Sequence, residues 1–210
     1  MRSEKITSQE LKRLIALKSN KLSFDEVTED DLDRITELVL NSKSFNGEDT
    51  GITLDMIALF PSLEDIRLIG FEVDKAVMEI LAGQQGLKSA TFVKCKLNDV
   101  DFECLNGRLK KVGFTKCGKL DFKYPEVPYV YVQGSEIDFN NIDFEKVKGI
   151  HILNSVVKNG RSLAEFKEIE SVVLDGTKIF VDDKLQEDVE VYKGTKYSHK
   201  KDVELVDTER

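Results

Sequence analysis

The chain has 210 residues, 40% apolar and 33% charged, with 31 Lys and Arg against 39 Asp and Glu and a formal charge of -8. That length favours one domain or one repeat array, and the apolar share is enough to bury a core, which excludes wholesale disorder. The acidic balance argues against nonspecific nucleic-acid binding, which needs clustered positive charge to displace counterions, and against an anionic membrane surface.

No stretch approaches the roughly 20 consecutive apolar residues of a membrane-spanning helix. Residues 1–18 carry Arg2, Lys5, Lys12 and Arg13 without an uninterrupted apolar core, so they do not read as a signal peptide. The expectation is a cytoplasmic protein, or a secreted one if a leader was removed. Cys95, Cys104 and Cys117 are an odd, sparse set that fits a reducing compartment and offers no Cys-x-x-Cys zinc spacing.

Residues 1–34 read as a helical N-terminal cap. Thr7 and Glu10 have capping-box spacing ahead of Leu11, Leu14 and Ile15, which share one helical face. Thr28 and Asp31 repeat the signal before Leu32. A recurring phrase then begins with Ile35-x-x-Leu38-x-Leu40, closed by Phe45, and continues as Leu63-x-x-Ile66-x-Leu68-x-x-Phe71-x-Val73. Between the two lie a polar loop, Gly47–Gly51, and a short helix over 53–59 ended by Pro61. The best helical pattern, 74–82, follows Val73, with Ala76, Val77, Ile80 and Leu81 on one face and Gly83 near its end.

The third and fourth phrases are Leu87-x-x-Ala90-x-Phe92-x-x-Cys95-x-Leu97 and Leu109-x-x-Val112-x-Phe114-x-x-Cys117, with Cys104 between them where Phe102 and Leu105 can pack inward. The fifth is Val127-x-x-Val130-x-Val132-x-x-Ser135-x-Ile137, and the sixth Val147-x-x-Ile150-x-Ile152-x-x-Ser155-x-Val157. The seventh is Ile169-x-x-Val172-x-Leu174-x-x-Thr177-x-Ile179. The array thus covers 35–180. A degenerate last repeat around Val189 and Val191 and a charged tail from Ser198 fill 181–210.

The phrases start 28, 24, 22, 18, 20 and 22 residues apart. In period and in pattern the chain resembles the leucine-rich repeat family, in its bacterial type with short irregular repeats. The resemblance implies an α/β solenoid, a leucine-rich-repeat horseshoe with a concave parallel β-sheet, a helical N-terminal cap and an irregular convex side. The family's buried Asn position reads Lys43, Phe71, Cys95, Cys117, Ser135, Ser155 and Thr177 here. The small residues from Cys95 onward carry groups that can bond turn backbone of the next coil, whereas Lys43 and Phe71 imply different first turns. Phe102, Phe122, Phe139, Phe144, Phe166 and Phe180 are expected to fill the space behind the sheet, with irregular or 3₁₀ connectors after Leu97.

Alternation turns the apolar pair of each strand inward and the residues around it outward. The outward set includes Arg67, Lys111, Tyr129, Tyr131, Gln133 and His151, with Ile69, Val93 and Leu153 among its apolar members. His151 is expected beside Tyr131, about 4.8 Å away by strand spacing. Tyrosines on such a face are common interface anchors, and solenoids commonly bind through it. The function expected is a protein–protein interaction module with a protein partner, no cofactor, no metal, no nucleic acid and no membrane. The bland reading is that these rings merely cover a sheet.

Two other classes compete. Residues 90–97 resemble the five-residue steps of pentapeptide-repeat proteins, acidic solenoids that can imitate nucleic acid, and degenerate caps leave a sheet edge for self-association. For an enzyme there is no Gly-rich phosphate loop, no Gly-x-Ser-x-Gly and no His-Glu-x-x-His. The carboxylates at Glu29–Asp31 and Asp182–Asp183 read as capping or solvation, with weak calcium binding as their alternative.

Overall fold

The computed structural model describes residues 3–44, 54–123, 125–142, 146–160, 170–181 and 184–185. Phe45, the 47–51 loop, Thr53, Phe144, Phe166, Ile169, Asp182, Asp183, the 189–191 repeat and the tail lie outside them. The chain divides into two compact units, 1–100 and 101–210.

The first unit opens with helix α1 (Gln9–Lys18), whose buried stripe is Leu11, Ile15 and Ala16. Its N-cap is Ser8, one residue later than the Thr7 expected, with Ser8 Oγ accepting the Leu11 N–H at 3.3 Å. Leu14 is only half-buried. The cap of α2 (Glu29–Asp33) follows expectation: Thr28 Oγ1 accepts the Asp31 N–H, and the Asp31 carboxylate accepts the Thr28 N–H at 2.9 Å. Those bonds hold the Asp31 carboxyl below its ordinary value.

Strands β1 (Glu37–Asn41), β2 (Asp65–Ile69) and β4 (Ser89–Val93) pair in parallel, and a second parallel pair joins β3 (Glu72–Val73) to β5 (Lys96–Leu97). The register places Leu38, Ile66 and Ala90 in one row and Leu40, Leu68 and Phe92 in the next, all buried. Helix α3 (Lys75–Gly83) is capped by Asp74 and buries Val77, Met78 and Leu81. Ala76 is exposed and Ile80 half-buried, so the stripe is shifted from the expected one. The helix packs against a 3₁₀ turn at Met56–Leu59, whose Met56 and Ile57 are buried, and that contact selects the face.

Among its described residues the second unit carries nine strands: β6 (Lys111–Thr115), β7 (Lys119–Leu120), β8 (Tyr129–Gln133), β9 (Glu136–Asp138), β10 (Gly149–Leu153), β11 (Val156–Lys158), β12 (Ser171–Asp175), β13 (Lys178–Val181) and β14 (Lys184–Leu185). β6, β8, β10 and β12 form one parallel ladder in that order. β7, β9, β11 and β13 form another, with β14 added antiparallel. Val112, Val130, Ile150 and Val172 make one buried row, and Phe114, Val132, Ile152 and Leu174 the next. Two connectors contain short 3₁₀ turns, at Phe102–Leu105 and Phe139–Asn141, as the spacing implies. Behind the sheet, Phe102 and Phe139 are fully buried while Phe122 and Phe180 are half-buried.

The turn after each strand has a common construction. The residue before the family's Asn position has positive φ in six coils: Gly70, Lys94, Lys116, Gly134, Asn154 and Gly176, between 49° and 75°. In four of these its N–H reaches the carbonyl that ends the following strand, as in Gly134 N–H to Leu153 O at 2.9 Å. The small residue that follows then bonds backbone. Cys95 Sγ donates to Leu68 O at 3.3 Å, and Thr177 Oγ1 to Ile152 O at 2.9 Å. Ser135 Oγ accepts the Cys117 N–H at 3.1 Å, and Ser155 Oγ the Ser135 N–H at 3.3 Å. The coil served is the preceding one, not the next as expected, because each side chain points back along the stack. Phe71 is buried at this position and Lys43 sits in a 3₁₀ turn at Ser42–Ser44.

A non-glycine residue in the left-handed region is strained by roughly 1–2 kcal/mol, offset in part by the larger chain entropy that glycine loses on folding. Lys116→Gly should therefore raise the melting temperature by several degrees with the Lys116 N–H to Gln133 O bond intact. Thermal denaturation of the two proteins side by side checks it.

Candidate functional site

All six outward residues lie where alternation places them, around strand positions whose neighbours are buried. Arg67 is exposed on β2, in register with Val39 and Thr91, and belongs to the first unit. Lys111, Tyr129, Tyr131, Gln133 and His151 belong to the second. Lys111 is in register with Tyr129, and Tyr129 with Gly149 and then Ser171. One row further, Tyr131 is in register with His151, and His151 with Val173.

Gly149 decides how the first of these rows is filled. A Cβ there would come within 2.7 Å of Tyr129 Cδ1 and 2.6 Å of Ser171 Oγ, so the Tyr129 ring occupies the space that a side chain on β10 would take. The ring reaches across that strand until its hydroxyl meets Glu170 Oε2 at 3.4 Å. It remains 43% exposed, so a flat aromatic surface is open to solvent and held at its far end. Sequence reasoning singled out Tyr129 but missed Gly149. The available signal was a lone glycine at a strand position whose neighbours in adjacent phrases are larger.

Tyr131 is half-buried and donates its hydroxyl proton to Gln133 Oε1 at 2.8 Å along its own strand. His151 is half-buried, with Nε2 3.4 Å from Ser171 Oγ. Burial holds its imidazole below the ordinary value, and the Lys111 charge adds to that effect. Ile69, Val93 and Leu153 are half-buried rather than openly exposed.

Among the described residues no carboxylate is hydrogen-bonded to the His151 imidazole, and Ser171 is itself buried. The Cys95 thiol is buried, which pushes its pKa up and disfavours the reactive thiolate. Among the described residues no group of three His, Cys, Asp or Glu side chains could hold a metal, and no helix is long and apolar enough to cross a membrane. The Asp31 carboxylate is engaged in its helix cap.

No family model and no curated protein matches the sequence. Solved structures resemble the fold. InlP of Listeria monocytogenes superimposes with a TM-score of 0.56 at 11% identity, over 85% of this chain and 54% of that one. An internalin-like protein of the same organism does so with a TM-score of 0.56 at 12% identity, over 85% of this chain and 57% of that one. The chain therefore spans little more than half the length of each. At this identity the likeness concerns the fold, which is of the α/β leucine-rich-repeat type that the seven phrases imply.

Proposed function

We propose that the protein is a protein-interaction module whose partner docks on the outward face of the second unit's sheet, around Tyr129, Tyr131, Gln133 and His151, with no catalytic step. The observation that carries this reading is Tyr129 lying across Gly149, exposed and tethered to Glu170. A large ring already held in place loses little entropy on binding, which is why such side chains become interface anchors. Tyr131, fixed by Gln133, extends the surface toward His151. The fold favours the same reading, since a parallel ladder of short coils offers a continuous face for a macromolecule.

The test is capture of a partner from native lysate, followed by titration with Tyr131→Ala and His151→Ala. Tyr131→Ala is expected to weaken binding by about 2 kcal/mol, roughly thirty-fold in Kd, and His151→Ala by less, with melting temperatures near that of the parent. Full binding by both variants would move the interface off this face.

A further inference from the structure

Strand β1 stands first in its ladder, and only one of its sides is paired. The Asp65 N–H reaches Thr36 O at 2.9 Å. Bonds of a parallel pair recur at every second residue, so Leu38 and Leu40 are the ones that serve β2. The N–H and C=O groups of Glu37, Val39 and Asn41 therefore point the other way. Among the described residues no strand or loop bonds them there.

The side chains of the same residues leave that edge accessible. Glu37 and Val39 are exposed and Asn41 is half-buried, with Val39 open over 47% of its surface. Sheet edges are normally blunted by Lys, Pro or a bulge, because unpaired backbone recruits another strand. Residues 37–41 contain neither Lys nor Pro, and their register with β2 is unbroken from end to end.

We propose that β1 is a self-association edge, on which a second copy of this chain pairs antiparallel about a two-fold axis through Val39. Two identical edges related by such an axis run antiparallel and present the same residues to each other. Centred on Val39, the axis sets Val39 against Val39 and Glu37 against Asn41 of the second copy. Every outward N–H and C=O of one strand then meets its counterpart as a hydrogen-bonded pair. The charges fit as well. Asn41 Oδ1 already accepts the Lys43 N–H at 3.1 Å, which leaves the carboxamide N–H groups for the opposing Glu37 carboxylate. Lys43, exposed just beyond the strand, arrives at the same end. An axis centred on Glu37 would instead oppose two carboxylates. Five residues a side make a small interface, so the dimer is a weak one.

Sedimentation velocity of the full chain, from about 10 μM to about 1 mM, should show the mean mass rising from one chain toward two. Val39→Glu sets two carboxylates face to face across the axis, while Arg67, in register on β2, receives the new side chain within its own chain. It should keep the parent's melting temperature and raise the dimer Kd about ten-fold or more. A second pair of variants reads the register, on a background of Cys104→Ser and Cys117→Ser that leaves only the buried Cys95. Val39→Cys should cross-link under mild oxidation, since the Cα atoms of such a pair lie about 5.5 Å apart, within disulfide reach. Glu37→Cys should not, because Asn41 opposes it. A parent that stays a single chain up to about 1 mM would overturn the proposal. So would a dimer that Val39→Glu leaves intact, or equal cross-linking at both positions. If Val39→Glu melts early, the two cysteine variants decide alone.

Discussion

Replacing Ile150 by aspartate is expected to abolish the cooperative unfolding transition of the second unit. Ile150 is wholly buried in β10, in register with Val130 on one side and Val172 on the other. A carboxylate there has no basic partner within the row, and burial of an unpaired charge exceeds the 4–5 kcal/mol that marks the extreme of single substitutions. No single coil can absorb such a loss, because burying a handful of side chains at roughly 1.5–3 kcal/mol each does not offset ordering some twenty residues at roughly 1–2 kcal/mol apiece. Circular dichroism melts should show a featureless baseline for Ile150→Asp and a sigmoid for Ile150→Val. A variant with the parent's transition would place Ile150 on the solvent side and invalidate the strand register.

Truncating Phe102 to alanine is the second large effect. Phe102 stacks edge-on against Phe114 at 5.4 Å between ring centroids, and lies 4.7 Å from Phe122, which is itself 5.5 Å from Phe114. The three rings tie a 3₁₀ connector, a ladder strand and a later loop into one cluster. Loss of the central ring leaves a cavity that the neighbouring rings cannot close, for a cost of about 3–5 kcal/mol. The denaturant midpoint should fall sharply with little change in slope. Phe122→Ala, at a half-buried ring, should cost clearly less.

The ladder strands were legible because period-two alternation is repeated seven times, and each repeat corroborates the others. Pairs such as Leu38/Leu40 and Val130/Val132 place themselves, and the observed register joins the same positions of successive phrases. The short outer strands were not read as strands. They are two to four residues long, too short for a pattern, although Val73 and Leu97 belong to the β3–β5 pair of the first unit and Ile137, Val157 and Ile179 to the outer ladder of the second. The left-handed turn residues were only partly readable. Gly134, Asn154 and Gly176 carry a signal, whereas Lys94 and Lys116 adopt the same conformation with no such signal in the residue type.

At the site, the outward positions of Tyr129, Tyr131 and His151 followed from alternation alone. That Tyr129 lies flat did not, since it depends on a missing Cβ at Gly149, one coil away. The α3 stripe departed from expectation for a related reason. Periodicity admitted two adjacent faces, and contact with the Met56–Leu59 turn chose between them.

The backward-pointing hydroxyls have a bearing on synthesis. The Cys117 N–H is satisfied by Ser135 and the Ser135 N–H by Ser155, while the N–H groups of Lys116, Gly134 and Asn154 each need the strand that comes afterwards. A polypeptide emerging from the ribosome amino end first therefore always has a newest turn with dangling donors, and each segment made closes the one before it.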